Sequence, residues 1–301
     1  MNIHDYLLNY QPPLYQTFSR ALFQGHLSHA YLLHGEPGTP LKEVALYLAA
    51  SLVCEAPHPL ACETCLSCSR IADGSYVDFY MFDGDEGSIK KERILDLESA
   101  FARTSVEKAG RLIYVIHKVE KMTPEAINSL LKFLEEPNDN VFAILTTENE
   151  ARVLPTIISR VQNLPLKLIP RDTLINETVK LGIPLVDIEL LSLVVNLPTT
   201  IERLSEDDTY LKVKDTLLLV LDQLALSAEE GVYASMKIAN KAINSRDEAR
   251  LYLQMLLAFF QDIVNYNLQG SLYLPSLVSY TCRLAKHFST PLQSIKTIIE
   301  A

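Results

Sequence analysis

Four of the five cysteines lie close enough together in the chain to hold a metal ion. They form the pattern C-x7-C-x2-C-x2-C and comprise Cys54, Cys62, Cys65 and Cys68. Clustered thiolates in a short segment are typical of tetrahedral zinc sites, in which four sulfur ligands close the coordination shell. A closed shell leaves no position for an activated water, so the spacing predicts a structural zinc module over residues 54–68. A redox pair, which needs only two thiols, and a chance grouping of small buried residues are the alternatives.

Two other features of the cysteine pattern carry expectations. Residues 55–61 show no apolar periodicity, so we expect something other than a hydrophobic core to order them. The fifth cysteine, Cys282, stands far away in the chain, and we interpret it as an ordinary buried thiol.

A glycine-bearing loop over residues 35–42 follows a predicted strand and precedes a predicted helix, which is the layout of a phosphate-binding loop. Such a loop ends in Gly-Lys-Ser/Thr, but here Pro40, Leu41 and Lys42 stand at those positions. Proline removes a backbone N–H, leucine brings no charge to the phosphates, and lysine replaces the hydroxyl that binds Mg²⁺. Because adjacent helical side chains point about 100° apart, Lys42 is a poor substitute for the missing lysine.

The rest of this loop is typical of an ordinary helix start. We predict that Thr39 is the N-cap and that Pro40 takes the first helical position. The degenerate loop therefore consists of Gly35, Gly38, Pro40, Leu41 and Lys42. We expect no nucleotide cofactor here and no ATP hydrolysis, while weak nucleotide binding remains open.

The predicted strand over residues 111–116 also ends in residues that are unsuited to magnesium. ATPases place acidic groups at this position, where they hold Mg²⁺ and polarise the attacking water. This chain has His117 and Lys118 there, with Glu120 two residues further on. Lysine repels Mg²⁺, and a lone imidazole is a poor ligand for a hard cation. Two losses at one site together predict that ATP is not hydrolysed.

Length and composition limit the number of domains and the class of protein in which these motifs occur. The 301 residues are 48% hydrophobic and 21% charged, which suits two or three folded domains. The net charge is 27 − 37 = −10, which disfavours a protein that coats nucleic acid and favours one that grips other proteins. No apolar run reaches the ~18 residues of a membrane span, and no basic segment with an apolar stretch begins the chain. We therefore expect a cytoplasmic protein without a membrane partner.

Up to about residue 168, short apolar runs alternate with amphipathic segments. The runs lack alternation, as strands covered on both faces do, so a parallel sheet flanked by helices is predicted. A predicted helix follows Gly38, and another begins with Thr123 as N-cap and Pro124 at the first position and is stopped by Pro137. The predicted strands are Ala30–His34, Val77–Phe82, Arg111–Ile116, Val141–Thr147 and Val161–Leu166.

From about residue 171 onward, strand signals disappear and helical patterns take over. The strongest of them runs from Arg246 to Leu268, with a mostly apolar stripe at helical spacing. Such a stripe is more often core than a groove for a partner. The C-terminal part of the chain is therefore predicted to be all-α.

Four separated motifs in the first 170 residues resemble the bacterial DNA polymerase III clamp-loader subunits of the AAA+ class. The motifs are His29-Ala30-Tyr31-Leu32, the four cysteines after the first helix of the sheet domain, residues 128–137 (NSLLKFLEEP) and Ile158-Ser159-Arg160. The resemblance implies a RecA-like AAA+ domain with an inserted zinc module over residues 1–168. It also implies a small helical lid over 169–208 and a helical collar over 209–301 that joins a five-subunit ring.

The resemblance also implies a function. The broken phosphate loop and the chain length are similar to the member of this family that does not hydrolyse ATP. Such a subunit assembles with the tau/gamma ATPase subunits and the delta subunit, and the complex loads the sliding clamp onto primed DNA. Ser159 and Arg160 stand at the family's Ser-Arg-Cys motif, with Val161 in place of cysteine. The resemblance implies that Arg160 acts in trans, on ATP bound by the neighbouring subunit.

Other interpretations of these residues stay open. Arg160 could be a surface cation at a helix C-terminus. Thr146 and Thr147 stand where the family has a nucleotide-sensing residue, but we expect them to be structural. For Lys118 and Lys132 we favour solvated surface over contacts with DNA.

Two other functions fit the sequence less well than a non-hydrolysing clamp-loader subunit. An ATP-hydrolysing subunit of the tau/gamma type would need a lysine where Leu41 stands. A zinc-dependent nucleic-acid-binding protein would need basic or stacking residues around the cysteines, and residues 55–67 have neither.

Overall fold

The computed structural model describes residues 2–101, 107–137, 140–226 and 228–287. It divides the chain into two compact units, Met1–Leu168 and Ile169–Ala301, which are described separately below. A further boundary near residue 208, between a lid and a collar, stays a prediction. Residues 288–301 of the predicted collar lie outside the described residues.

The first unit is built on a five-stranded parallel sheet with the strand order β2-β3-β4-β1-β5. The predicted parallel sheet flanked by helices is therefore confirmed. Strands β1 and β4 have the predicted bounds. The bounds predicted for the other three are wrong at the ends: β2 begins two residues later and β3 one residue later, both end one residue later because Asp83 pairs with His117, and β5 is one residue shorter at each end. The strands are β1 (Ala30–His34), β2 (Phe79–Asp83), β3 (Leu112–His117), β4 (Val141–Thr147) and β5 (Gln162–Pro165).

Helices flank this sheet and bury its central strands. All six residues of β3 are buried, which agrees with the apolar runs from which the strands were predicted. Short 3-10 turns over Val119–Lys121 and Glu150–Arg152 follow β3 and β4. The helices of the first unit are α1 (Ile3–Tyr10), α2 (Pro12–Gln24), α3 (Leu41–Val53), α4 (Leu66–Ala72), α5 (Lys91–Phe101), α6 (Pro124–Glu135) and α7 (Pro155–Ile158).

The two helix starts that were predicted from capping residues have different outcomes. At α6 the Thr123 side chain accepts a hydrogen bond from the N–H of Ala126 at 3.3 Å, as predicted. At α3 the prediction is wrong, because Pro40 is the N-cap and Leu41 is the first helical residue. The Thr39 hydroxyl is buried without a partner in the described structure and lies over Gly35, so it does not reach the helix.

The second unit is helical throughout its described residues, as predicted. Its longest helix begins with a capping box, in which Ser245 and Glu248 bond each other's backbone N–H, and it ends one residue before the predicted end. The helices are α8 (Arg171–Val179), α9 (Leu185–Leu191), α10 (Pro198–Ser205), α11 (Asp208–Leu226), α12 (Ala228–Ala242), α13 (Arg246–Asn267) and α14 (Val278–His287). Among the described helices, none is both long and apolar enough to cross a bilayer.

Helix α6 supplies a fully buried leucine that lets us test the core of the first unit. Leu130 is 0% exposed within the core cluster, whereas Leu131 is only partly buried against it. We expect Leu130→Ala to lower the free energy of unfolding of this unit by about 2–5 kcal/mol, because it removes buried methyl groups and leaves a cavity. Urea denaturation followed by circular dichroism measures the loss. Leu131→Ala is the control, and an equal loss there would contradict the assigned packing.

Candidate functional site

The candidate phosphate loop and the polar strand ends lie along the carboxyl edge of the sheet. Strand β1 leads into the loop after His34, while β3 ends at His117 and β4 at Thr147. Because the strands are parallel, their carboxyl ends meet at one edge, where ligands of open α/β sheets bind. The chemistry of this edge therefore decides whether a nucleotide can be held.

The loop uses most of its backbone donors internally. The N–H of Gly35 donates to the carbonyl of Thr147 at 3.3 Å, and those of Thr39 and Leu41 donate to loop carbonyls at 3.0 and 2.7 Å. Prolines at two further positions have no N–H at all. Within residues 35–41 of the described structure, only the N–H groups of Glu36 and Gly38 are left for an anion. A phosphate-binding loop depends on several convergent N–H groups, and the inability of this loop to bind triphosphate stays a prediction.

Lys42 is bound by a carboxylate of the sheet. Its ammonium forms an ion pair with Asp83, the last residue of β2, whose side chain is 7% exposed. Burial alone would raise the pKa of Asp83, but the bonds from Lys42 and from the Asp85 N–H hold it below its ordinary value. Asp83 is therefore a carboxylate that holds the ammonium of Lys42 at the end of β2.

Lys118 is enclosed by two further carboxylates. Its Nζ lies 2.7 Å from Asp85 Oδ1 and 3.0 Å from Glu148 Oε1, and its side chain is only 12% exposed. Burial would lower the pKa of Lys118, but these two partners raise it above its ordinary value, so the amine is charged. The interpretation of Lys118 as solvated surface is therefore wrong, whereas Lys132 is exposed as expected.

His117, at the end of β3, links the ends of the strands on either side of it, β2 and β4. Its Nδ1 lies 2.7 Å from the Thr146 hydroxyl, and its Nε2 lies 3.3 Å from Asp85 Oδ2. The Thr146 hydroxyl oxygen also accepts the Lys118 N–H at 3.0 Å, so its own hydrogen is free to be donated to Nδ1. Burial lowers the pKa of His117, and the neutral ring then carries its proton on Nε2, which donates to Asp85. Thr146 is structural in this arrangement, as expected.

These residues form one connected group, which we call the strand-end network, and the Asp85 N–H joins the Lys42–Asp83 pair to the others by donating to Asp83 Oδ1. It consists of Lys42, Asp83, Asp85, His117, Lys118, Thr146 and Glu148. Ligand atoms of Asp83, Asp85 and His117 lie within 4.8 Å of one another, a spacing that could hold a cation. Both carboxylates already bind ammonium groups of the chain, however, so the positive charge that they need is present.

Sequence reasoning missed the acidic half of this network. Asp83 is the last residue of β2 and Asp85 follows it after Gly84, and this position at a strand end was the available signal. Gly84 is needed there because a Cβ would lie 2.8 Å from the carbonyl oxygen of His117.

The cysteines that were predicted to bind zinc lie together. Their four sulfur atoms are all within 4.8 Å of one another, and Sγ of Cys54 and Cys65 are 4.0 Å apart. A tetrahedral zinc ion with Zn–S bonds of about 2.3 Å requires sulfur separations of about 3.8 Å. The cluster comprises Cys54, Cys62, Cys65 and Cys68, and its geometry fits a metal ion such as zinc.

Backbone groups around this cluster favour thiolates. The N–H of Cys62 lies 3.3 Å from Cys54 Sγ, and the N–H of Cys65 lies 3.3 Å from Cys62 Sγ. Bonds from the backbone and hydroxyl of Thr64 and from the Cys65 N–H lower the pKa of Cys62 to about 6. Burial raises the pKa of Cys54 and of Cys68, and the charge of a bound metal ion would offset that cost. With four thiolates in the shell, zinc here would stabilise the fold.

Two expectations about the cysteine region need correction. Part of residues 55–61 is ordered by the core, because Leu60 is fully buried and Ala61 bonds with Ser51 and Tyr47 at 2.9 and 3.2 Å. The prediction failed because one buried leucine between loop residues produces no periodicity. Cys282 is only half-buried, so its interpretation as a buried thiol is also wrong.

Ser159 and Arg160 lie just after α7, at the entry to β5. The Arg160 Nη1 lies 2.9 Å from the Thr156 carbonyl and 3.2 Å from the Ser159 hydroxyl, to both of which it donates. Its Nη2 lies 2.9 Å from Oε1 of Glu135, the last residue of α6. The Arg160 side chain is 34% exposed, so it is accessible from outside this chain. Its action on a neighbouring subunit stays a prediction.

Comparison with known proteins places this arrangement in a family. The sequence profile described as "DNA polymerase III, delta subunit" matches residues 10–170. The chain belongs to that family. The match spans the whole parallel sheet, the cysteine cluster and Arg160.

Individual relatives are subunits of DNA polymerase III. DNA polymerase III subunit delta' of Bacillus subtilis is 31% identical over 85% of this chain and 77% of its own length. Subunit delta' of Pseudomonas aeruginosa is 34% identical over 44% of this chain and 41% of its own. Subunit tau of Bacillus subtilis is 27% identical over 85% of this chain and 49% of its own.

The cysteine cluster generates a direct test for metal. We expect about one zinc ion per purified chain by elemental analysis, because one four-sulfur shell is present. Cys65→Ser should lower the zinc content, since it removes one ligand. Cys282→Ser is the matched control and should keep the full content. Equal zinc in the Cys65 and Cys282 variants would contradict the assigned ligand set.

Proposed function

We propose that this chain is a non-hydrolysing clamp-loader subunit of the DNA polymerase III holoenzyme. It assembles with ATP-hydrolysing subunits of the tau/gamma type and with a delta subunit, and the complex loads the sliding clamp onto primed DNA. Clamp and DNA are reached through the complex. In this role the chain supplies Arg160 to ATP bound by the adjacent subunit.

The strand-end network is the observation that carries the non-hydrolysing part of the proposal. Hydrolysis needs Mg²⁺ held beside the triphosphate and a lysine on its outer phosphates. Here Lys118 sits between Asp85 and Glu148, and Lys42 is held by Asp83. A Mg²⁺ ion at this edge would have to compete with both ammonium groups for their carboxylates.

The position and exposure of Arg160 support the proposal that it is supplied to ATP bound by the adjacent subunit. A guanidinium stays charged at all physiological pH values and can bind two phosphate oxygens at once. Supplied in trans, such a group stabilises the charge that builds on the transferred phosphoryl group. Arg160 is partly exposed and is held at the end of α7 by two bonds within its own turn. Ser159 contributes one of those bonds, so its proposed role is to support Arg160.

An ATP-hydrolysing subunit of the tau/gamma type is the alternative, and the 27% identity to subunit tau favours keeping it. It requires that the loop with Leu41 bind triphosphate without its lysine. The two functions predict opposite results for the isolated chain.

The first experiment is ATP turnover by the purified chain. We expect no activity above background, because the loop lacks a phosphate-binding lysine and the strand ends are occupied by ion pairs. Release of phosphate is measured with saturating Mg·ATP, with and without primed DNA. Turnover of about one ATP per second, which is ordinary for such an enzyme, would establish the alternative.

The second experiment tests Arg160 in the reconstituted complex. Arg160→Ala should leave folding and assembly intact but depress DNA-stimulated ATP turnover. An arginine supplied in trans accelerates hydrolysis at the site that it serves by roughly 10³–10⁵. The contribution of that one site to the total ATP turnover of the complex should therefore disappear. Arg152→Ala, which removes an exposed arginine from the same region, is the control. Unchanged turnover in Arg160→Ala would leave this residue as a surface cation.

A further inference from the structure

We infer that Glu135 is a positioning residue for Arg160, which fixes the guanidinium in the orientation that a neighbouring subunit's nucleotide meets. The inference rests on the proposed function of Arg160 and adds a second residue to it. Its basis is the 2.9 Å contact between Arg160 Nη2 and Glu135 Oε1, which joins the end of α6 to the segment after α7.

The hydrogen bonds of Arg160 divide its donors into two groups. A guanidinium has five N–H donors. Within the described residues, three are used: two on Nη1, toward Thr156 and Ser159, and one on Nη2, toward Glu135. The Nε–H and the second Nη2 N–H are left over. Two donors suffice for a paired contact with phosphate oxygens, so the bonds hold the group without exhausting it.

Both sides of the contact are anchored in the core. Leu134, next to Glu135, is 2% exposed, and Ile157, three residues before Arg160, is 1% exposed. Both belong to the same buried cluster. The carboxylate and the guanidinium are therefore presented by backbone segments whose relative position is set by packing.

Without Glu135, the bonds to Thr156 and Ser159 come from the arginine's own turn and leave the outer half of the side chain less constrained. A long side chain that must be ordered on contact with its ligand loses rotamer entropy, and prior ordering reduces that cost. Glu135 thus orders the Arg160 side chain before the guanidinium contacts the nucleotide. Because the contact with the phosphoryl group strengthens in the transition state, the effect should fall on kcat more than on KM.

The test is DNA-stimulated ATP turnover of the reconstituted complex with Glu135→Ala and Glu135→Gln. Both side chains of the pair are partly exposed, 34% for Arg160 and 50% for Glu135. We therefore expect Glu135→Ala to lower kcat by about fivefold, the upper range for such a pair, with KM for ATP nearly unchanged. Glu135→Gln keeps an acceptor oxygen and should restore part of the loss.

Glu136→Gln is the matched control, since it removes the same charge from the next, exposed residue and should keep normal turnover. Circular dichroism and size-exclusion chromatography establish that each variant folds and assembles, and Glu135→Gln serves where Glu135→Ala fails to do so. In an Arg160→Ala background, Glu135→Ala should have no further effect, because the residue that it positions is gone.

Each other result would overturn the inference in a distinguishable way. No loss in Arg160→Ala would remove the proposed function, and the role of Glu135 with it. A loss in Arg160→Ala with normal turnover in both Glu135 variants would remove only the role of Glu135. Higher ATP turnover in Glu135→Ala would show that Glu135 holds Arg160 back from the nucleotide. If Glu135→Ala lowered turnover as much in the Arg160→Ala background as in the unaltered chain, Glu135 would act on a residue other than Arg160.

Discussion

Charge balance at the carboxyl edge of the sheet is the constraint on which the rest of this unit depends. Asp83 and Asp85 end or follow β2 and Glu148 follows β4, on either side of β3, and Lys118 binds both Asp85 and Glu148. A nearly buried carboxylate such as Asp83, which is 7% exposed, needs a counter-charge, and an ATP-hydrolysing protein holds Mg²⁺ with acidic groups at such an edge. This chain provides the counter-charge with Lys42 and Lys118. Both lysines are therefore paired within the chain at this edge, where the three carboxylates exceed them by one negative charge.

The sheet could be predicted from sequence because its signals are local. Strands β1 and β4 are continuous apolar runs with the predicted bounds, and α6 starts at a Thr-Pro cap that depends only on adjacent residues. The start of α3 could not be predicted in the same way. Thr39 is followed by proline in a loop folded back over Gly35, so its hydroxyl lies against the loop and does not reach the helix.

The candidate sites also differ in whether their residues come from one short segment or from distant parts of the chain. Zinc ligands are recognisable from spacing because one short segment supplies all four, and the structure brings their sulfurs together. Lys118 was misinterpreted because its partners come from elsewhere: Asp85 follows β2 and Glu148 follows β4. Its backbone also adopts a positive φ of 59°, which a sequence pattern does not announce for a lysine. Glu135 is adjacent to an apolar helical stripe, and only the fold places it beside Arg160.

Under the proposed function, the ion pairs of Lys42 and Lys118 at the carboxyl edge of the sheet have a consequence for Arg160. Strand β5 begins two residues after Arg160 and pairs with β1, which leads directly into the degenerate loop. That loop bonds to Thr147 and to itself, and at the strand ends Lys42 pairs with Asp83 while Lys118 pairs with Asp85 and Glu148. Under that proposal, the contacts that orient Arg160 come from α6 and α7 of its own chain, namely Glu135 at the end of α6 and Thr156 and Ser159 in its own turn.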